Sequence, residues 1–186
     1  MVNPLEKQYQ SLKHIGPGNI ESFTGKILNN VKTALEEGLI SNKFIFHAGD
    51  VIYGKINPQL GKYCVPSYDG LASADAYVLS SSNESVLNKK FIYYIIQTLR
   101  FYRYSVSVSM RTGMPKINRN ELDLYRFDVP SVYEQKKISN LLDYIEELIA
   151  SNQRKLDQLK KVKKLLMQKI FDQEWRFEGF TDPWEQ

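Results

Sequence analysis

Cysteine is nearly missing from this chain. Cys64 stands alone among 186 residues, so neither an intrachain disulfide nor a cysteine-based metal framework can form. The two histidines, His14 and His47, lack the spacing of zinc ligands. A phosphate loop is absent too: Gly16-Pro17-Gly18 has neither the lysine nor the following hydroxyl that grip phosphates. No serine sits in a nucleophile elbow, and the carboxylates form no nuclease-like metal cluster. Asn57-Pro58-Gln59-Leu60 shares only its first half with the Asn-Pro-Pro-aromatic motif of amino-group methyltransferases. No glycine-rich loop for a methyl donor precedes it. No apolar run reaches the length a membrane span needs, and the polar N-terminus lacks the features of a signal peptide. The expectations are a non-catalytic chain, no metal and a cytoplasmic location.

Glycine and proline are missing from one long stretch, residues 131 to 171. Pro130-Ser131 opens it, and Ser131 followed by Glu134 has the spacing of a capping box. Apolar residues then recur on two positions of a seven-residue repeat. One position holds Leu142, Ile149, Leu156 and Ile170; the other holds Ile138, Ile145, Leu159 and Leu166. Asn152 and Lys163 interrupt the seam. A helix of this length extends about 60 Å at 1.5 Å per residue, too long for an ordinary small domain. Such a seam needs a partner helix, and the rest of the chain offers none of matching length.

Charge suggests the direction of that partner. Residues 131 to 150 carry two lysines against four carboxylates, net −2, and residues 151 to 170 carry seven cations against Asp157, net +6. Antiparallel copies lay acidic halves against basic ones and also suit the helix dipole. Asn152, near the middle, suits a buried polar residue that sets register. The lysines spread around several faces, which disfavours a membrane-surface or calmodulin-binding helix.

What precedes the helix is a globular part of about 130 residues, long enough for a true core. Hydrophobic content of 42% and aromatic content of 12% fit a folded domain. Fifteen Lys/Arg against eleven Asp/Glu make residues 1 to 130 mildly basic, while the remainder balances. That permits nucleic-acid binding without demanding it. Met1 to Gln10 reads as loose, and turns at Gly16-Pro17-Gly18-Asn19 and Thr24-Gly25 separate short strands. Val31 to Glu37 reads as one or two helical turns stopped by Gly38. Phe44 to Ile56 reads as two strands around Gly49-Asp50, and Val65 to Leu79 as further strands, notably Ala76-Tyr77-Val78-Leu79. Ser85 to Tyr104 reads as one helix and Ser105 to Met114 as a polar loop. Asn118 with Glu121 opens a short helix, and Leu124 to Val129 reads as a last strand. The fold class is α+β: a globular domain over 1–130, a coiled-coil helix over 131–172 and a tail over 173–186.

Two polar, glycine-flanked segments carry the residue types that contact phosphates and base edges. One holds Lys55, Asn57, Gln59 and Lys62 beside Tyr53 and Tyr63, the tyrosines reading as packing residues. The other holds Ser107, Ser109, Arg111, Thr112, Lys116 and Asn118. Gly54, Gly61 and Gly113 fit turns that need positive φ.

Three quotations from the chain resemble a known family. They are Gly49-Asp50-Val51-Ile52-Tyr53-Gly54-Lys55-Ile56-Asn57-Pro58-Gln59-Leu60-Gly61-Lys62-Tyr63, Gly113-Met114-Pro115-Lys116-Ile117-Asn118, and Val129-Pro130-Ser131-Val132-Tyr133-Glu134-Gln135-Lys136-Lys137-Ile138. With the long helix, they resemble the specificity subunits of type I restriction-modification systems. The Pro-x-x-x-Glu-Gln-x-x-Ile junction is the most specific part. The resemblance implies a DNA-reading subunit without catalysis of its own, binding one half of a bipartite site on double-stranded DNA. It implies methyltransferase and restriction subunits as partners, with S-adenosylmethionine, ATP and Mg held by them. A full-length member has two recognition domains and two antiparallel helices, whereas this chain has one of each. The Trp-x-x-x-x-Leu-Gly opening is absent, yet Arg176 to Glu185 resembles the start of a second recognition domain. An antiparallel homodimer or a second specificity chain would then complete the unit. A coiled-coil assembly module that does not bind DNA is the rival expectation, and a stand-alone methyltransferase is a weaker one.

Overall fold

The computed structural model describes residues 1–110 and 113–185. It divides into two compact units, residues 1–139 and 140–186. The first is a mixed α+β domain built on two small sheets. Strands β1 (Lys13–Ile15), β2 (Lys32–Thr33), β3 (Phe44–Phe46) and β6 (Gly70–Ala72) form one sheet in the order β2-β1-β6-β3. Strands β4 (Val51–Gly54), β5 (Tyr63–Cys64) and β7 (Ala76–Leu79) form the other, with β4 central and antiparallel to both neighbours.

Strand β4 is the keystone, because all four of its residues are buried. Successive side chains on a strand point to opposite faces. Ile52 therefore joins Ile15, Ile20, Phe46 and Cys64 in one apolar cluster, while Val51 and Tyr53 join Ile92, Ile96, Phe101 and Ile117 in another. A strand with a core on each face reads as a continuous apolar run. Gly54 ends it for want of space, not for its φ: an added Cβ would lie 3.0 Å from the Lys62 Cβ and 3.3 Å from Pro17. The positive φ expected at this glycine is absent; Gly61 (φ 53°) and Gly113 (φ 106°) do adopt it.

Several local readings are corrected. Residues Met1–Gln10 are not loose. Val2 pairs with Lys43 through both backbone bonds, Pro4 is fully buried, and α1 occupies Lys7–Gln10. The Val31–Glu37 segment is strand β2 followed by a turn, where Glu36 accepts from both the backbone N–H and the hydroxyl of Thr33. Gly38, at φ 62°, does stop it. The two strands around Gly49-Asp50 exist but belong to different sheets, so they make no hairpin.

The single helix expected over Ser85–Tyr104 is two, α2 (Lys89–Ile95) and α3 (Leu99–Ser109). Thr98 divides them: its hydroxyl donates to the Ile95 carbonyl and accepts from the Phe101 N–H. A threonine that can cap offers the backbone an alternative to continuing the helix. Helix α3 runs on through the expected loop as far as Ser109, whose side chain is fully buried. Leu124–Val129 forms no strand; Tyr125 there packs edge-on to Phe101 and stacks on Phe127. The short helix opened by Asn118 and Glu121 is present as α4 (Arg119–Asp123).

Helix α5 runs unbroken over Val132–Phe171, 40 residues. The Glu134 N–H donates to the Ser131 hydroxyl at its start. Among the described residues no helix is long and apolar enough to cross a membrane.

Cys64 is fully buried, and burial pushes its thiol up to about 12. A thiol in that state holds almost no thiolate at neutral pH. The native protein should therefore resist an aromatic disulfide reagent at pH 8 and titrate one thiol once denatured. Rapid labelling without denaturant would contradict the packing of the first cluster.

Candidate nucleic-acid interface

The segment leaving β4 and the segment before α4 are joined by main-chain bonds. Ile56 and Lys116 form an antiparallel bridge. The Asn57 N–H donates to the Pro115 carbonyl at 2.8 Å, and the Ile117 N–H to the Lys55 carbonyl at 3.0 Å. Ile117 is the anchor: its side chain is fully buried in the second cluster, and its carbonyl accepts from the Tyr77 hydroxyl at 3.1 Å. Two sequence-distant polar segments thus become one surface.

That surface carries a small basic cluster around Tyr77. The Lys55 ammonium lies 5.5 Å above the Tyr77 ring. Its pKa is lowered, first by burial and then by the charge of Lys116, with Asp75 opposing. Lys116 is exposed. Burial raises the Tyr77 phenol, the charge of Arg119 lowers it, and those of Glu121 and Asp123 raise it. Arg119, the exposed first residue of α4, escaped the sequence reading although it follows Asn118 directly.

The other expected contacts are distributed unevenly. Asn57 takes the left-handed conformation (φ 48°) and leads into a 3-10 turn at Pro58–Leu60. Gln59 is exposed, its amide nitrogen 3.4 Å from the Asn57 side-chain oxygen. Lys62 commits a donor of its ammonium to the Ile20 carbonyl, leaving two of three for other partners. Ser107 is exposed but sits on α3, where its hydroxyl donates to the Tyr104 carbonyl. Ser109 is buried and bonded to the Val106 carbonyl, so it faces no ligand. Asn118 caps α4, its N–H donating to Glu121 Oε2. Arg111 and Thr112 lie outside the described residues. Tyr53 and Tyr63 pack in the core as expected. Together these groups offer cations for phosphates and amides for base edges. Among the described residues no cluster of His, Cys, Asp and Glu could hold a metal ion.

Gln135 is the glutamine of the Pro-x-x-x-Glu-Gln-x-x-Ile junction. It is fully buried. Its amide nitrogen donates to the carbonyls of Val86 and Pro130, and its oxygen accepts from the Asn88 N–H. One side chain therefore ties the start of α5 to the segment that caps α2. Farther along α5, Ile138, Leu142 and Ile170 are half-buried, while Ile145, Ile149, Asn152, Leu156, Leu159 and Leu166 are exposed. Leu141, Leu148, Val162 and Leu165 add to this apolar exposure.

The type I restriction modification DNA specificity domain family matches residues 6–161. The specificity subunit of the Escherichia coli type I restriction enzyme EcoDI is 30% identical over 187 aligned positions, spanning 96% of this chain and 40% of that protein. A putative type I restriction enzyme specificity subunit, MjaX, from Methanocaldococcus jannaschii is 25% identical over 154 positions, 77% of this chain and 35% of that one. The crystal structure of the HsdS subunit from Thermoanaerobacter tengcongensis superposes with a TM-score of 0.66 at 20% identity, covering 92% of this chain and 45% of that one. The chain thus spans less than half the length of these relatives. With its two polar segments, its junction motif and the first thirty residues of its long helix inside the matched region, the chain belongs to the type I restriction-modification DNA specificity domain family.

Proposed function

We propose that this chain reads one half of a bipartite DNA site and recruits methyltransferase and restriction subunits, themselves the holders of S-adenosylmethionine, ATP and Mg. The observation that carries the reading is the Ile56–Lys116 bridge. It joins the Lys55–Asn57 segment to the Pro115–Ile117 segment, which supports a shared surface for groups that bind phosphates and groups that read bases. Such a subunit works where the DNA is, in the cytoplasm.

A second copy of the chain is the partner proposed for α5. The exposed seam and the opposed charges of its two halves favour an antiparallel pair. Two identical domains would then read an inverted repeat with a fixed gap. The rival, a coiled-coil module that ignores DNA, draws on the same exposed seam.

Selection from random duplexes followed by mobility shift separates the two readings. The expected result is a selected site whose affinity falls steeply with salt. Alanine at Lys55 or at Lys116 should weaken binding by about 1–3 kcal/mol if the lysine reads a base, with specificity relaxed at one position. A phosphate role weakens all sequences alike and lowers the salt slope. Wild-type affinity in both folded variants, or no selectable site for an intact dimer, would favour the rival.

A further inference from the structure

The turn that carries Asn57 and Gln59 also walls a cavity of 330 Å3. Its lining is mostly aromatic, with Phe23, Tyr53, Phe101 and Tyr102 among the contributors and Gln97 and Ser105 as polar members. Three unfavourable features meet there. Phe23 holds a left-handed backbone (φ 62°), uncommon for a bulky residue, while the residue stays 55% exposed. The Tyr53 hydroxyl is buried and reaches no partner at bonding geometry. Ser105 is near enough to lower the Tyr53 pKa a little, although burial still pushes it up to about 12. The cavity itself is half-open and lined mainly by apolar atoms, which gain nothing while they face water.

The Phe23 ring is deliberately seated. Its N–H donates to the Gly61 carbonyl, and the ring lies so close over Gly61 that an added Cβ would meet it at 2.4 Å. Tyr102 meets the same ring edge-on, with centroids 5.8 Å apart, and its hydroxyl reaches the Gln59 carbonyl. The rim of the cavity is therefore braced against the very turn proposed to read DNA. Strain of this kind concentrates where a ligand is held.

Resting on the DNA-reading function above, we propose that this cavity accepts a single nucleobase turned out of the duplex beside the Asn57–Gly61 turn. The chemistry matches on both counts. A base presents two apolar faces to aromatic rings and a polar edge to a few fixed groups. The Tyr53 hydroxyl lies buried behind the wall beside Ser105, where a small shift of the wall would bring it to an acceptor on the base edge. Gln97 has committed its amide nitrogen to the Tyr93 carbonyl and keeps its amide oxygen as an acceptor. A cavity of roughly 300 Å3 is at the lower end of small-ligand sites, in keeping with one base and not a nucleotide chain.

The test uses the full chain and the selected duplex, with one base at a time deleted on either strand. Turning a base out is easier when its pairing partner is missing. One deletion should therefore tighten binding at least fivefold, and deletion of the base opposite it should weaken binding. A simple kink would respond alike to both deletions. Phe23→Gly relaxes the backbone and removes the rim ring; Tyr53→Phe removes the lone hydroxyl without changing shape. Both should keep the wild-type melting temperature or exceed it and reduce the tightening below twofold, and Phe23→Tyr should restore it. Duplex binding with no asymmetric tightening, or tightening that survives Phe23→Gly, overturns the cavity's role and leaves the DNA reading standing. Failure to bind any duplex overturns both.

Discussion

Lysine at Leu142, Ile149 and Leu156 together should leave the chain a monomer at micromolar concentration. Ile149 is 63% exposed and Leu156 45% exposed in the single chain, so each has apolar area to lose on pairing. Burying what these three side chains still expose is worth roughly 2–4 kcal/mol per chain, and the pair gains it twice. Antiparallel pairing would set Leu142 opposite the half of α5 that carries seven cations, so a lysine there also adds repulsion. Since each 1.4 kcal/mol or so is a factor of ten, the loss exceeds what a moderate dimer can absorb. Lysine is a good helix former, so any fall in helicity would report the loss of the partner and not of local propensity. Sedimentation of wild type and variant decides it. A dimeric variant would move the contact away from this seam, and a monomeric wild type would remove the homodimer. The monomer should still bind a single half-site weakly and lose the two-part site.

Gln135→Ala should cost about 3–5 kcal/mol of stability in the globular unit, the largest single-residue effect foreseen outside the apolar core. The truncation strands the Asn88 N–H and the Val86 and Pro130 carbonyls at once, and it leaves a cavity. Gln135→Glu is the sharper probe. It keeps the volume but aims a carboxylate at two carbonyl oxygens, which with burial raises its folded pKa above the ordinary value of about 4.3. A raised pKa gives stability that is present below the unfolded pKa and lost as pH rises through the folded one. The Glu variant should accordingly approach wild type near pH 4 and fall away from it toward pH 7. Thermal melts of both proteins across that range test the sign. A Gln135→Ala melt indistinguishable from wild type would falsify the account of the junction.

What was legible in the chain was what local pattern controls. The freedom of residues 131 to 171 from glycine and proline announced α5, and the Ala76–Leu79 run gave β7 at its true bounds. The two strands around Gly49-Asp50 were legible as strands but not as members of different sheets, because strand pairing is decided by distant residues. The break at Thr98 was hidden because the same hydroxyl could have faced solvent in a continuous helix. Ser109 looked like a loop residue and proved to be a buried helical one. The Pro-x-x-x-Glu-Gln-x-x-Ile motif could be recognised without revealing why Gln135 stands in it; that needed the carbonyls of Val86 and Pro130 in place. Likewise Lys55 and Lys116 were each named, while their meeting through Ile56 and Ile117 was a tertiary fact.

The way those segments meet bears on how such a protein can change its target. The bonds joining them run from Asn57 N–H to the Pro115 carbonyl and from Ile117 N–H to the Lys55 carbonyl, so they draw nothing from the side chains at 55, 59 and 116. Those positions can drift to other polar residues without loosening the scaffold that presents them. Position 57 is held to a narrower alphabet, since its left-handed backbone admits glycine, asparagine or aspartate far more readily than a branched residue. Under the DNA reading proposed above, these positions can change one at a time, with Ile117 and β4 holding the frame still beneath them.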